Sequence, residues 1–226
     1  MKTTFLKPKG DYRSLIVYRK AECIYDLTYH FTHRFLDRGD RTIDQMVQAA
    51  RSGKQNIIEG SSASTTSRET EIKLFNVARA SFDELLADYD DYMRVRGISP
   101  WENEKQNSVR EFCRTHNDSA LYREIAPARD DATLANLCLT LIYQEQYLLQ
   151  KLIERAKADF LARGGIREEM SQARRAYRAT HGYGRDGSYE RHGNYGNYES
   201  YGKQPGSPQP PTGSNAPQAP DPQESH

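Results

Sequence analysis

From about residue 14 onward, apolar residues recur three or four positions apart, the spacing that stacks side chains on one face of an α-helix. The first run predicts a helix over 14–36, with Val17, Ala21, Ile24, Leu27, Phe31 and Phe35 facing inward and Gly39-Asp40 breaking it. A second helix is expected from Thr42, which has capping-box spacing to Gln45. Its Ile43, Met46, Ala50, Gly53 and Ile57 alternate in threes and fours, a coiled-coil-like seam, and the small Ala50 and Gly53 would let a neighbouring helix approach closely. Gly60 is the expected stop, because glycine tolerates the left-handed conformation of a helix end. Thr66 and Glu69 repeat the capping-box spacing ahead of a third helix carrying Ile72, Phe75, Ala78, Phe82, Leu85, Tyr89 and Tyr92, which Gly97 ends.

Ser99-Pro100-Trp101-Glu102 reads as a restart, with serine as cap, proline in the first turn and glutamate behind it. The stretch to His116 offers only Val109, Phe112 and Cys113 as apolar anchors and is expected to be a short covering helix, followed by a connector through Pro127. The longest helix is expected over 129–162, with Leu134, Leu137, Leu141, Leu148, Leu152 and Phe160 inward, closed by Gly164-Gly165. A last, basic helix follows from Ile166 to Thr180. No period-two alternation flanked by turns occurs. The expected fold is all-α, an up-down antiparallel four-helix bundle, since short loops favour antiparallel neighbours. The segments are a flexible lead-in at 1–13, three bundle helices at 14–97, a helical region at 98–181 that includes the fourth bundle helix, and a disordered tail at 182–226.

Composition supports that division. Only 36 % of the 226 residues are apolar, and the last 45 are built mainly of Gly, Tyr, Asn, Ser, Pro and Gln, too few large apolar groups for a core. The net charge of +1 conceals an asymmetry: the tail has three basic and five acidic residues, which leaves +3 on the chain before it. That permits a nucleic-acid partner without requiring one. Cys23, Cys113 and Cys138 are odd in number and widely spaced, which argues against a disulfide framework and suits a reducing cytoplasm. The N-terminus lacks the apolar core of a signal peptide, and no run approaches the ~18 apolar residues of a membrane span.

The stretch QNIIEGSS, Gln55 to Ser62, places three weak helix formers among apolar residues. Asn56 and Glu59 are three apart and, with Gly60, are expected to lock the junction between the second and third helices; a ligand or subunit contact is the other reading. Gln45, Ala49-Ala50-Arg51, Ser52 and Asn56-Ile57-Ile58-Glu59-Gly60 together resemble the signature of the 23S ribosomal RNA intervening-sequence proteins, the four-helix-bundle protein family. Ala78-Arg79-Ala80-Ser81 and Glu84-Leu85 are similar to its downstream element, with alanine where the family has glycine before Ser81. The resemblance covers 12–97. Ala135-Asn136-Leu137, Leu141 to Gln144, Tyr147 to Leu149 and Phe160 to Met170 resemble the suffix-domain extension of some members. The resemblance implies an up-down bundle assembled as a homopentamer, a structural role for Asn56, Glu59, Gly60, Ser81 and Glu84, and RNA, DNA or a nucleic-acid enzyme such as a reverse transcriptase as partner. Many members have no established activity.

Residues 1–60 hold eleven basic against seven acidic residues. Arg34, Arg38 and Arg41 surround the first turn, and Arg51 and Lys54 lie on the second helix, interleaved with Asp37, Asp40 and Asp44. Arg174, Arg175 and Arg178 form a second basic group on the last helix, ahead of a tail whose tyrosines resemble the stacking platforms of RNA-associated segments. Phosphate contacts and counterion release would drive such binding; a solvated, salt-paired surface is the plainer reading. Catalysis is not expected. His30 with His33 and Cys113 with His116 are isolated pairs, no Glu-x-x-His pair serves a di-iron site, and no glycine-rich phosphate loop occurs, so no cofactor or metal is anticipated. Two functions stand open: a non-catalytic oligomeric bundle that binds RNA or DNA, and a structural or protein-interaction scaffold.

Overall fold

A computed structural model of the chain describes residues 11–181, which lie within one compact unit. The lead-in before Asp11 and the Gly/Tyr and Pro-rich tail fall outside the described residues. Among those described, every regular element is helical: α1 (Ile16–Phe35), α2 (Arg41–Ala63), α3 (Arg68–Arg96), α4 (Asn103–Thr115), α5 (Ser119–Ile125), α6 (Asp131–Arg163) and α7 (Ile166–His181), with 3-10 turns at Tyr12–Ser14 and Ala126–Ala128. No described helix is long and apolar enough to cross a membrane.

The four long helices touch in a closed cycle. α1 packs on α2 and α6, and α3 packs on the same two. The inward stripes read from the sequence meet there: Val17, Ile24, Leu27, Phe31, Met46, Ile57, Phe82, Leu85, Tyr89, Leu134, Leu137 and Leu141 are all buried. Two glycines set the spacing of α2 and α3. A Cβ on Gly53 would stand 2.6 Å from the Phe82 ring, and one on Gly60 would stand 2.6 Å from the Phe75 ring. The glycines are seven residues apart, as are the phenylalanines, in opposite sequence order, so the two helices run antiparallel with each ring seated on bare backbone. α6 runs antiparallel to α3: Gln150 accepts from Arg79 (2.5 Å), Gln146 donates to Asp83 (2.6 Å) and Asp131 accepts from Tyr92 (3.0 Å).

Gly60 is therefore not a helix stop. α2 continues through Ala63, because the missing Cβ serves the Phe75 ring rather than a left-handed cap. Both capping boxes also shift. Asp40, not Thr42, caps α2, its carboxylate accepting from the Thr42 amide at 2.9 Å; Ser67, not Thr66, caps α3, accepting from the Thr70 amide at 3.2 Å. Gly97 does end α3, in the left-handed conformation at φ 66°.

The expected restart at Ser99 is displaced. α4 begins at Asn103, and the strand of chain before it is held extended by α6: the Trp101 amide donates to Asn136 Oδ1 at 2.7 Å, and Asn136 Nδ2 donates to the Ser99 carbonyl. The expected connector contains α5, capped by Asp118 and packed on α1. With α4 on one flank and α1 and α3 on others, Leu134 to Leu139 of α6 are buried on all sides. The last buried residue of α6 is Ala156; Phe160, expected inward, is exposed, as is Leu161. α7 buries no residue.

Candidate functional site

The resemblance signature lies along the α2–α3 seam. Ser81 Oγ donates to Ser52 Oγ across the helices at 3.0 Å, one residue from the Gly53–Phe82 seat on each helix. Asn56 does not bridge to α3; its amide returns to the Ser52 carbonyl at 2.9 Å within α2. Glu59 is exposed and accepts from Gln55, and Glu84 is exposed on α3. Gly60 and Ser81 join two helices, whereas Asn56 and Glu59 bond within their own helix, so the expected lock at the end of α2 is made by Gly60 alone.

The basic residues do not form one surface. Arg34 is engaged: its guanidinium donates to the Pro127 carbonyl at 2.6 Å and pins the turn after α5 to the end of α1. Lys54 lies 4.1 Å over the Tyr25 ring. Arg38, Arg41 and Arg51 are exposed. Along α3, Asp83, Glu84, Asp90 and Asp91 are exposed, Asp91 is paired with Arg94 at 2.6 Å, and partial burial, aided by neighbouring carboxylates, raises the pKa of Asp88 and Asp90.

α7 has the opposite character. At 100° per residue, Arg167, Arg174 and Arg178 fall within about 40° of one another, with Met170, Tyr177 and His181 beside them and Glu169 on the far side. Tyr177 and His181 stack at 4.1 Å. Arg167, Met170, Ser171, Arg174, Arg175 and Arg178 border a shallow concavity of about 390 Å³. Arg175 donates to the Ser171 carbonyl, and none of these arginines is ion-paired among the described residues.

Three charged residues are buried among the described residues: Glu71, paired with Arg68 at 2.9 Å, and two deeper ones, none of them singled out from the sequence. Lys20 is 1 % exposed; its ammonium donates to the Cys113 carbonyl at 2.7 Å and to Gln144 Oε1 at 3.0 Å. Glu145 is wholly buried, with no partner for either carboxylate oxygen. Burial lowers the pKa of Lys20 and raises that of Glu145 well above its ordinary value, while each one's charge opposes the other's shift. The signal was present in both cases. Lys20 stands three residues after Val17 and four before Ile24, and Glu145 stands midway between Leu141 and Leu149, each on an inward stripe.

The three cysteines are free and buried, and burial lifts their thiols to about 12 at Cys23, about 11 at Cys113 and about 12 at Cys138, far from a reactive thiolate. The ring nitrogens of His33 and His116 approach carbonyls one turn back in their own helices. Among the described residues no group of three or more His, Cys, Asp or Glu could hold a metal ion. No family model matches the chain, and neither a curated protein nor a solved structure matches it with significance.

Proposed function

We propose that this chain is a non-catalytic, up-down four-helix-bundle protein of the 23S ribosomal RNA intervening-sequence kind, and that it binds RNA or DNA through α7. The closed cycle of α1, α2, α3 and α6 supports the bundle. The observation that carries the binding role is the exposed face of α7, where arginines with no ion pair among the described residues flank a Tyr177–His181 stack. Cations aligned along a helix release counterions from a phosphate backbone, and an aromatic face accepts a base without regard to sequence. The residues of the first turn contribute less, because Arg34 is committed to the Pro127 carbonyl and Lys54 to the Tyr25 ring.

A homo-oligomer belongs to the same proposal, with a pentamer the state that the resemblance implies and a reverse transcriptase one enzyme it would serve. Several copies would multiply one α7 stripe into a shared field. A cytoplasmic location fits three unpaired thiols. The second reading, a protein-interaction scaffold without nucleic acid, is favoured by Tyr143 and Tyr147, large side chains that α6 leaves more than half exposed.

Fluorescence anisotropy with labelled single-stranded RNA and DNA separates the two. The charge reversal Arg174→Glu, Arg175→Glu, Arg178→Glu is expected to weaken binding more than tenfold, and Arg38→Glu, Arg41→Glu, Arg51→Glu to weaken it less. Equal loss from both sets would move the site off α7. No binding by the unaltered full chain would leave the scaffold.

A further inference from the structure

Between the start of α1, α4 and the middle of α6 lies a cavity of about 600 Å³, within the usual range for small-molecule sites. Its walls are mainly apolar and include Ile16, Tyr143, Tyr147 and Leu148. Lys20 also lines it, and Lys20 is 1 % exposed. A buried ammonium is costly unless it is paired, yet no carboxylate lies within 4 Å of it among the described residues. The interior carboxyl that faces it, Glu145, is too far for an ion pair, and burial raises its pKa.

Part of the role of Lys20 is structural. The Cys113 carbonyl is among the last of α4, where helices lack acceptors' partners, and a lysine there satisfies it. That bond and the one to Gln144 account for two of the three N–H donors of an ammonium. One donor remains without an acceptor among the described residues, at the wall of an apolar cavity. At the mouth, Glu111 is already taken by a two-pronged pair with Arg114, which leaves Arg110 as a further uncompensated cation.

We infer that this cavity binds a small organic monoanion, a carboxylate with an apolar body, whose charged end meets Lys20 and whose body lies against Ile16, Tyr143 and Leu148. One buried cation and largely apolar walls suit a single negative charge; a polyphosphate would need several converging donors. This site is separate from α7 and stands whether or not α7 binds nucleic acid.

The test compares octanoate with 1-octanol, which share a chain and differ in charge, by calorimetric titration of the full-length protein below the micelle concentration of either. Octanoate is expected to bind at least tenfold more tightly than octanol. Lys20→Met is expected to abolish that preference and leave octanol unchanged, whereas a purely structural lysine would affect both equally. Arg110→Glu, at an exposed position that needs no refolding of the core, is expected to weaken octanoate alone. Thr140→Trp fills the cavity without removing a charge and is expected to reduce both. Equal binding of acid and alcohol, a preference that survives both Lys20→Met and Arg110→Glu, or unchanged binding in Thr140→Trp would each overturn the inference.

Discussion

Glu145 is the residue whose chemistry departs furthest from its neighbours. It is fully buried, its oxygens have no hydrogen-bond partner among the described residues, and burial raises its pKa well above the ordinary value. An unfolded chain would release that proton above the ordinary glutamate value of 4.5. Between that value and the raised folded one, the native state binds the extra proton, so its contribution is present below the unfolded pKa and is lost as pH rises. Lys20 has the opposite sign, with its contribution fully present above its ordinary 10.5 and lost as pH falls through its lowered folded value, so a Glu145 substitution is needed to isolate the Glu145 part of the slope. Glu145→Leu is expected to raise stability at both about pH 8 and about pH 4, by about 1–3 kcal/mol for removing a buried polar group without partners, and by more at the higher value, because only the unfolded wild-type chain gains from ionising Glu145 there. Urea denaturation at both values measures it; a gain that is the same at both would mean Glu145 has a partner in solution. A charge on an inward stripe was visible in the sequence at positions 20 and 145. What it met there was not, since Cys113 and Gln144 come from distant parts of the chain.

At the scale of elements, the α2–α3 seam depends on what two positions lack. Gly53 and Gly60 seat Phe82 and Phe75 at distances no Cβ could share. Gly60→Ala would gain about 1 kcal/mol of helix propensity but force a buried ring to move, a cost of about 1–3 kcal/mol, so a net loss is expected. Phe75→Leu vacates the space, and the double variant is expected to lose less than the two single losses added. A rise in denaturation midpoint for Gly60→Ala alone would show that the seat yields freely. Helix existence and inward faces were legible from periodicity, including Gly53 as a close-approach residue. Helix ends were not. Asp40, Thr42, Ser67 and Thr66 are all competent caps, and the choice between neighbours is made by where the turn must fit. Gly60 has the local look of a stop and serves instead as a tertiary seat. α5 escaped notice because its seven residues are too few to show a period.

For the whole molecule, counting charges proved less informative than asking which are free. The arginine-rich first turn looks like a phosphate site in sequence, yet Arg34 is spent on a carbonyl and Lys54 on a ring. That engagement depends on tertiary contacts the sequence does not display. The arginines of α7 were legible as a group from local spacing alone, because nothing described packs over them. The proposed role rests on those cations meeting phosphates directly. The decisive measurement is the salt dependence of RNA binding by the full chain and by Arg174→Ala, Arg175→Ala, Arg178→Ala. Each phosphate contact removed from a single strand is expected to lower the slope of log K against log salt by about 0.7, so the triple variant should flatten it by about 2. An unchanged slope, with affinity intact, would contradict the assignment of α7 as the nucleic-acid contact.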